Sequence, residues 1–480
     1  MAVITTAPYT GTSGADSITG GAGSDTINGG GGADLIYGLA GDDLIYGGDG
    51  KDAIYGGSGA DTIFGGAGGD AIISGTALEL DNESIYGGNG RDYIYAGGGD
   101  DSIFGGNGAD YIFGSAGDDV IAGGNGADQL FGGTGSDTFN FYGSDGADIV
   151  FGGAGNDTVD FTGSSAGYVF NLGSDAAGLY NGLATVQPTA GGRIATFGIE
   201  NFVGSAGDDA YFGTASSEAF NGGAGDDIID GAAGSGVDSL YGGAGDDSIR
   251  GRTGADILFG DAGDDVIFAG SGDDTMVFGG LGDDVLYGET GADVIYGGSG
   301  NDILYAGPGA FAGGAPIGGD ALYGDSGNDT LYGSSQADAL DGGGGSDVIY
   351  GGGGNDTISG GQAADVIVGG AGGDSLTGGG GADTFLINSI AESSEGAGLS
   401  DTITDFEGSV DVIDISAVDA NQNTAANDDF VIVANFSGTA GEMTIGGGVI
   451  LGDTDGDGDG DLVINYAGDT PTGDDILGAS

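Results

Sequence analysis

An aliphatic residue returns at every ninth position along most of this chain. Ile18, Ile27, Ile36, Ile45, Ile54, Ile63 and Ile72 keep that interval without a break. The interval is not a helical period. It places one apolar residue at the centre of a triplet such as Thr62-Ile63-Phe64. Successive side chains of an extended segment point to opposite faces, so the central residue turns inward and its neighbours outward. The pattern predicts one short strand per nine residues and two strands per turn, with residues eighteen apart stacked on each other.

The residues between the triplets say what makes the turns. Residues 20–28 read GGAGSDTIN, 47–55 read GGDGKDAIY and 56–64 read GGSGADTIF. The frame Gly-Gly-x-Gly-x-Asp-x-hydrophobic-x recurs over about residues 11–160 and 204–386. Glycine reaches positive φ and lets a tight turn direct its carbonyl oxygens inward. A carboxylate joins them at the sixth position. Calcium takes six to eight oxygen ligands, so the turns are candidate calcium sites. The candidate ligands in the first block are Asp16, Asp25, Asp34, Asp43, Asp52, Asp61, Asp70, Asp92, Asp101, Asp110, Asp119, Asp128, Asp137, Asp148 and Asp157. In the second block they are Asp209, Asp227, Asp247, Asp256, Asp265, Asp274, Asp284, Asp293, Asp302, Asp329, Asp338, Asp347, Asp356, Asp365, Asp374 and Asp383. Asp34 and Asp52 are expected on one side of the roll, and Asp43 and Asp61 on the other. Glu218 replaces the Asp of its window, and Ser216, Gln336 and Ala363 replace the fourth-position Gly. Those turns are expected to bind calcium weakly or not at all.

This repeat resembles that of the RTX (repeats-in-toxin) proteins. The resemblance implies an all-β fold of calcium-bound parallel β-rolls (a β-solenoid), and export from a Gram-negative bacterium by a type I secretion apparatus. The expected organisation is a first roll over 1–160, a β excursion over 161–203, a second roll over 204–386 and a C-terminal β cap over 387–480. The segments YVFNL (168–172) and FGIENFVGSAGDD (197–209) resemble a spacer found between RTX blocks. Smaller interruptions lie at 74–86, with Leu78, Glu79 and Leu80, and at 306–323. In the cap, DTITDF (401–406), VDVIDIS (410–416), FVIVANF (430–436) and DLVINY (461–466) read as strands. The cap resembles that of RTX proteases, which implies a secretion signal in roughly the last 50 residues. Within it, Asp453, Asp455, Asp457 and Gly458 match the start of an EF-hand-like loop. The twelfth position is Ile464 rather than Glu, so a calcium loop peculiar to this cap is the preferred reading over a solvated acidic turn.

Charge makes the cation a folding component. Asp and Glu total 75 against 5 Lys and Arg, for a formal net charge of −70. Such a chain repels nucleic acid and anionic membranes. The glycines, 120 in all, raise the entropy lost on folding, and one buried Ile per nine residues does not offset it. About one calcium ion per repeat supplies the missing term, so the ion-free chain is expected to be unfolded.

The same composition excludes much chemistry. There is no Cys and no His, hence no disulfide, no thiolate or imidazole metal site and no Ser-His-Asp triad. The match GSSAG at 163–167, centred on Ser165, therefore has no base. No apolar run reaches the length of a membrane span, and Met1–Thr10 lacks the features of a conventional signal peptide. Lys51, Arg91, Arg193, Arg250 and Arg252 are too few for a basic patch.

The ninth repeat position is often Tyr or Phe, as at Tyr37, Tyr46, Tyr55 and Phe64. It flanks the core residue and faces outward, so rings eighteen apart are expected to form ladders. The repeats begin near residue 11, so a separate catalytic domain ahead of them is not expected. The leading expectation is a non-enzymatic structural protein of the bacterial surface or matrix, assembling with itself into a layer or filament through these faces or the sheet edges. The alternatives are an adhesin that binds cell-surface polysaccharide, and, less favoured, a polysaccharide-acting enzyme or accessory module.

Overall fold

The computed structural model describes the whole chain except residues 1, 5–8, 77–79, 143–147, 165–167, 172–183, 189–193, 198, 215, 233, 235, 308–318, 395–398, 422–428 and 480. The described residues fall into two compact units, Met1–Gly231 and Ala232–Ser480. Both are all-β. The one helical element among the described residues is the 3-10 turn Gly473–Asp475.

In the first unit the chain winds between two parallel sheets. Leu35–Ala40 pairs with Ala53–Ser58 in one sheet, Ile36 facing Ile54. Leu44–Asp49 pairs with Thr62–Ala67 in the other, Ile45 facing Ile63. Consecutive strands thus belong to opposite sheets, and each strand's partner lies one turn away, as the nine-residue period predicts. The central residues form the core, with Ile18, Ile27, Ile36, Ile45, Ile54, Ile63 and Ile72 all fully buried. The second unit repeats the plan, with Ser239–Ala244 on Ile257–Ala262 and Ser248–Thr253 on Val266–Ser271.

Interruptions leave the register intact. Across the insertion at 74–86, Ile63 still faces Ile85. Across the loop at 306–323, Ile295 faces Leu322. Leu78, Glu79 and most of that second loop lie outside the described residues, as do Ser165 and Arg193. The excursion is itself β: Tyr168–Asn171, Ala184–Pro188 and Ile194–Phe197 pair antiparallel in succession. Its outer strands pair parallel with roll strands, Ile194–Phe197 with Ile149–Ala154 and Tyr168–Asn171 with Ala210–Phe212. In the cap, Glu442–Gly446, Val449–Asp453 and Leu462–Gly468 form an antiparallel sheet. Leu462–Gly468 also pairs parallel with Asp401–Phe406, the cap strand that continues the roll sheet beyond Ser375–Gly380.

Two glycine positions are sterically fixed. Gly50, fourth in its window, has φ +140°, and a Cβ there would overlap the carbonyl oxygen of Gly32 one turn away. The second position also takes positive φ, and a Cβ built on Gly48 or Gly57 would likewise overlap a carbonyl oxygen one turn away, yet some windows carry a side chain there. Leu39 sits there at φ +90° with its side chain 48% exposed. Gly50→Ala is therefore expected to destabilise the roll by about 2 kcal/mol or more. Leu39→Gly removes left-handed strain of about 1–2 kcal/mol and is expected to be neutral or mildly stabilising. Thermal unfolding at fixed calcium measures both, and equal effects would contradict this account.

Candidate calcium sites

The glycines bring the sixth-position Asp to the inner wall of the turn. Every repeat aspartate predicted as a ligand is buried, apart from the half-buried Asp25. In most of them one carboxylate oxygen is used between turns. The Asp34 amide donates to Asp52 Oδ1 at 2.8 Å, and the Asp52 amide to Asp70 Oδ1 at 2.8 Å. On the other side the Asp43 amide donates to Asp61 Oδ1 at 2.9 Å. The second unit carries the same two rows, for example Asp256 to Asp274 at 2.7 Å and Asp329 to Asp347 at 2.8 Å. Each row also crosses insertions, as from Asp70 to Asp92 and from Asp302 to Asp329.

The second oxygen is different. Oδ2 of Asp34, Asp43, Asp52, Asp61, Asp119, Asp265, Asp293 and Asp347, among others, is buried without a hydrogen-bond partner. It faces main-chain oxygen. A Cβ built on Gly47, first in its window, would lie 2.7 Å from Asp52 Oδ2 and 2.5 Å from the Gly65 carbonyl oxygen. The first-position glycine thus clears a space in which carboxylate and carbonyl oxygens converge. An ionised oxygen left in such a place is costly. Burial accordingly pushes the carboxyls up: Asp119, Asp265 and Asp293 to about 8, with neighbouring aspartates of the row adding to the rise. Asp61 rises to about 7 for the same reasons. Glu83, buried beside Asp101, is pushed up to about 10. An all-oxygen donor set holding uncompensated negative charge fits calcium, which would be held by the sixth-position carboxylates and the turn carbonyls.

Six acids of the rows escape a reading based on the full repeat: Glu83, Glu200, Asp238, Asp320, Asp401 and Asp411. The Glu83 amide donates to Asp101 Oδ1, and the Asp238 amide to Asp256 Oδ1. Glu200, Asp320, Asp401 and Asp411 accept from the amides of Asp157, Asp293, Asp374 and Asp383. Their windows lack the glycine frame. A weaker signal survives, an acid two residues before a core position, as in Asp320-Ala321-Leu322 and Asp401-Thr402-Ile403.

The cap holds a separate acidic cluster. Carboxylate oxygens of Asp453, Asp455 and Asp461 lie within 4.8 Å of one another. Asp453 is buried and accepts from the amides of Gly456 at 2.6 Å and Gly458 at 3.0 Å. Asp461, rather than the predicted Asp457, is the third member. Asp457 instead accepts from the Asp459 amide at 2.9 Å.

No curated protein matches the chain. A solution structure of a subunit of the Azotobacter vinelandii mannuronan C5-epimerase is similar at 29% identity over 35% of this chain and 84% of that one, though the TM-score is only 0.17. The RTX calcium-binding nonapeptide repeat family matches at residues 10–45, 37–72, 80–112, 104–139, 140–162, 203–238, 212–245, 241–276, 278–310, 317–349 and 350–385. These matches cover well over half of the chain, and they fall where the buried aspartate rows run. The chain belongs to the RTX calcium-binding repeat family, and its cofactor is Ca2+.

Proposed function

We propose that this chain is a secreted structural protein of the cell exterior that folds when it meets calcium and then packs laterally with copies of itself. The observation that carries this reading is the row of buried carboxylate oxygens that have no protein partner and that a calcium ion would satisfy. Such a row makes the fold dependent on free calcium, which is abundant outside cells. With no His and no Cys, and with the repeat acids committed to the turns, the reading is non-enzymatic.

The outer faces support packing over sugar binding. Rings at the ninth position stack face to face in ladders. Tyr305 and Tyr332 lie 4.9 Å apart at 6°, and Tyr332 and Tyr350 5.0 Å apart at 3°. The Arg250 guanidinium sits 5.3 Å over the Phe268 ring in the same row. A sugar ring stacks on an aromatic face, but here neighbouring rings occupy the faces and present their edges. Edge-presenting, flat ladders suit sheet-like lateral contacts. At the C-terminal end the cap sheet runs out at the two-residue strand Val431–Ile432, a short edge that resists further pairing. This favours growth through the faces over end-to-end growth.

The test starts from chelator-treated protein. Restoring millimolar calcium is expected to raise light scattering and to give ordered sheets or bundles by electron microscopy. A soluble monomer with full β structure would reject self-assembly while leaving calcium-driven folding in place.

A further inference from the structure

The turns are of two kinds. In most, the second-position residue has positive φ, as at Gly30, Gly48, Gly57 and Gly343, and the carboxylate of the window keeps an unpartnered oxygen. In six others among the described residues the second-position amide instead donates to the carboxylate of its own turn. Thr12 donates to Asp16 Oδ2 at 2.6 Å, Gly21 to Asp25 Oδ2 at 2.6 Å and Ser205 to Asp209 Oδ2 at 2.7 Å. Thr214 donates to Glu218 Oε2 at 2.8 Å, Ser334 to Asp338 Oδ2 at 2.6 Å and Glu407 to Asp411 Oδ2 at 2.7 Å.

Four of the six carry Ser or Thr at the second position, and the hydroxyl completes the closure. It accepts the fourth-position amide, at 3.2 Å from Gly14 to Thr12, 3.2 Å from Gly207 to Ser205 and 3.1 Å from Gln336 to Ser334. In three of them it also donates to the carboxylate, Thr12 to Asp16 at 2.8 Å, Ser205 to Asp209 at 3.1 Å, and Thr214 to Glu218. Asp338 has both oxygens engaged, Oδ1 by the Asp320 amide at 2.8 Å and Oδ2 by Ser334. An amide hydrogen aimed at the carboxylate places positive charge where a cation would sit, and it removes the desolvation cost that makes a cation necessary.

We infer that these six turns hold no calcium and act as ion-independent caps of the runs of calcium-bound turns. Closure is set by the backbone rather than by residue type, since Ser115 holds the second position of an open turn at φ +95° and Asp119 there keeps its unpartnered oxygen. The places of the six turns agree. Thr12 and Gly21 open the array, Ser205 and Thr214 follow the excursion, Ser334 follows the loop at 306–323, and Glu407 leads into the cap. Departure from the consensus is not enough by itself. Ala363 replaces the fourth-position glycine yet keeps φ +75°, and Asp365 in that turn retains its unpartnered oxygen.

The inference rests on calcium binding by the regular turns, and one experiment separates the two. Crystals of the full chain grown in calcium, measured at long wavelength, should give anomalous peaks at the turns of Asp34, Asp43 and Asp347. They should give none at the six closed turns. A peak of comparable height at Asp338 or Asp209 would overturn the inference. A map with no calcium peaks anywhere would overturn the binding reading beneath it. As a second readout, the double variant Ser334→Gly and Gln336→Gly restores the glycine frame and should raise the bound calcium by one ion per chain, counted by elemental analysis. An unchanged count would remove Ser334 as the determinant.

Discussion

In excess chelator at neutral pH the chain is expected to lose its β structure almost completely, and to regain it steeply as calcium is returned. Each regular turn buries a carboxylate oxygen that has no protein partner. An unsatisfied buried polar atom costs on the order of 1–3 kcal/mol, and more when charged. Domains are stable by only about 5–15 kcal/mol in total, so a few uncompensated turns exhaust the margin. Calcium reverses the sign by binding only the folded turn. Each turn packs mainly on its neighbours, as in other repeat arrays, so the return should be cooperative in calcium. Far-ultraviolet circular dichroism during a calcium titration reads this directly. A near-native spectrum in chelator would mean that the aspartate rows tolerate their own charge, and the calcium-dependent function would fall with it.

Acid should do part of the work of calcium. In the ion-free roll, burial holds Asp119, Asp265 and Asp293 at about 8 and Asp61, Asp302, Asp329, Asp356 and Asp365 at about 7. Their ordinary value, that of the unfolded chain, is 3.8. The folded state therefore binds more protons than the unfolded state between these limits. Its stability falls as pH rises through that window and is fully present below it. Chelator-treated protein moved from about pH 8 to about pH 4 is expected to gain β structure, the reverse of ordinary acid denaturation. Adding calcium near neutral pH should release protons, and the calcium midpoint should rise on acidification. Both are measurable by titration in weak buffer. Steady loss of residual structure on acidification in chelator would show that the row carboxyls are not shifted upward.

The parts that were legible in the sequence are those set by short-range repetition. Ile36, Ile54 and Ile72 lie in the core of one sheet, in register, because a nine-residue interval can place them nowhere else in a two-sheet roll. The Asp34–Asp52 and Asp43–Asp61 stacks follow from the same count. The six acids outside the glycine frame were not legible. Glu200, which receives the Asp157 amide at 3.0 Å, stands 43 residues beyond it, across the excursion. In the cap, the loop turns back to bring Asp461 beside Asp453 and Asp455, a placement that sequence spacing does not announce.

The period, the core positions, the calcium chemistry and the family are legible from residue order alone, because each is written within nine residues and repeated. Which oxygen of each carboxylate is used, and whether a turn stays open for an ion or closes on its own amide, is settled by the folded chain. That choice depends on the φ of one second-position residue and on the turn stacked beside it. Neither the Ser334–Asp338 window nor the Ala363 window announces it in composition: both depart from consensus, and one closes while the other keeps a vacant carboxylate oxygen.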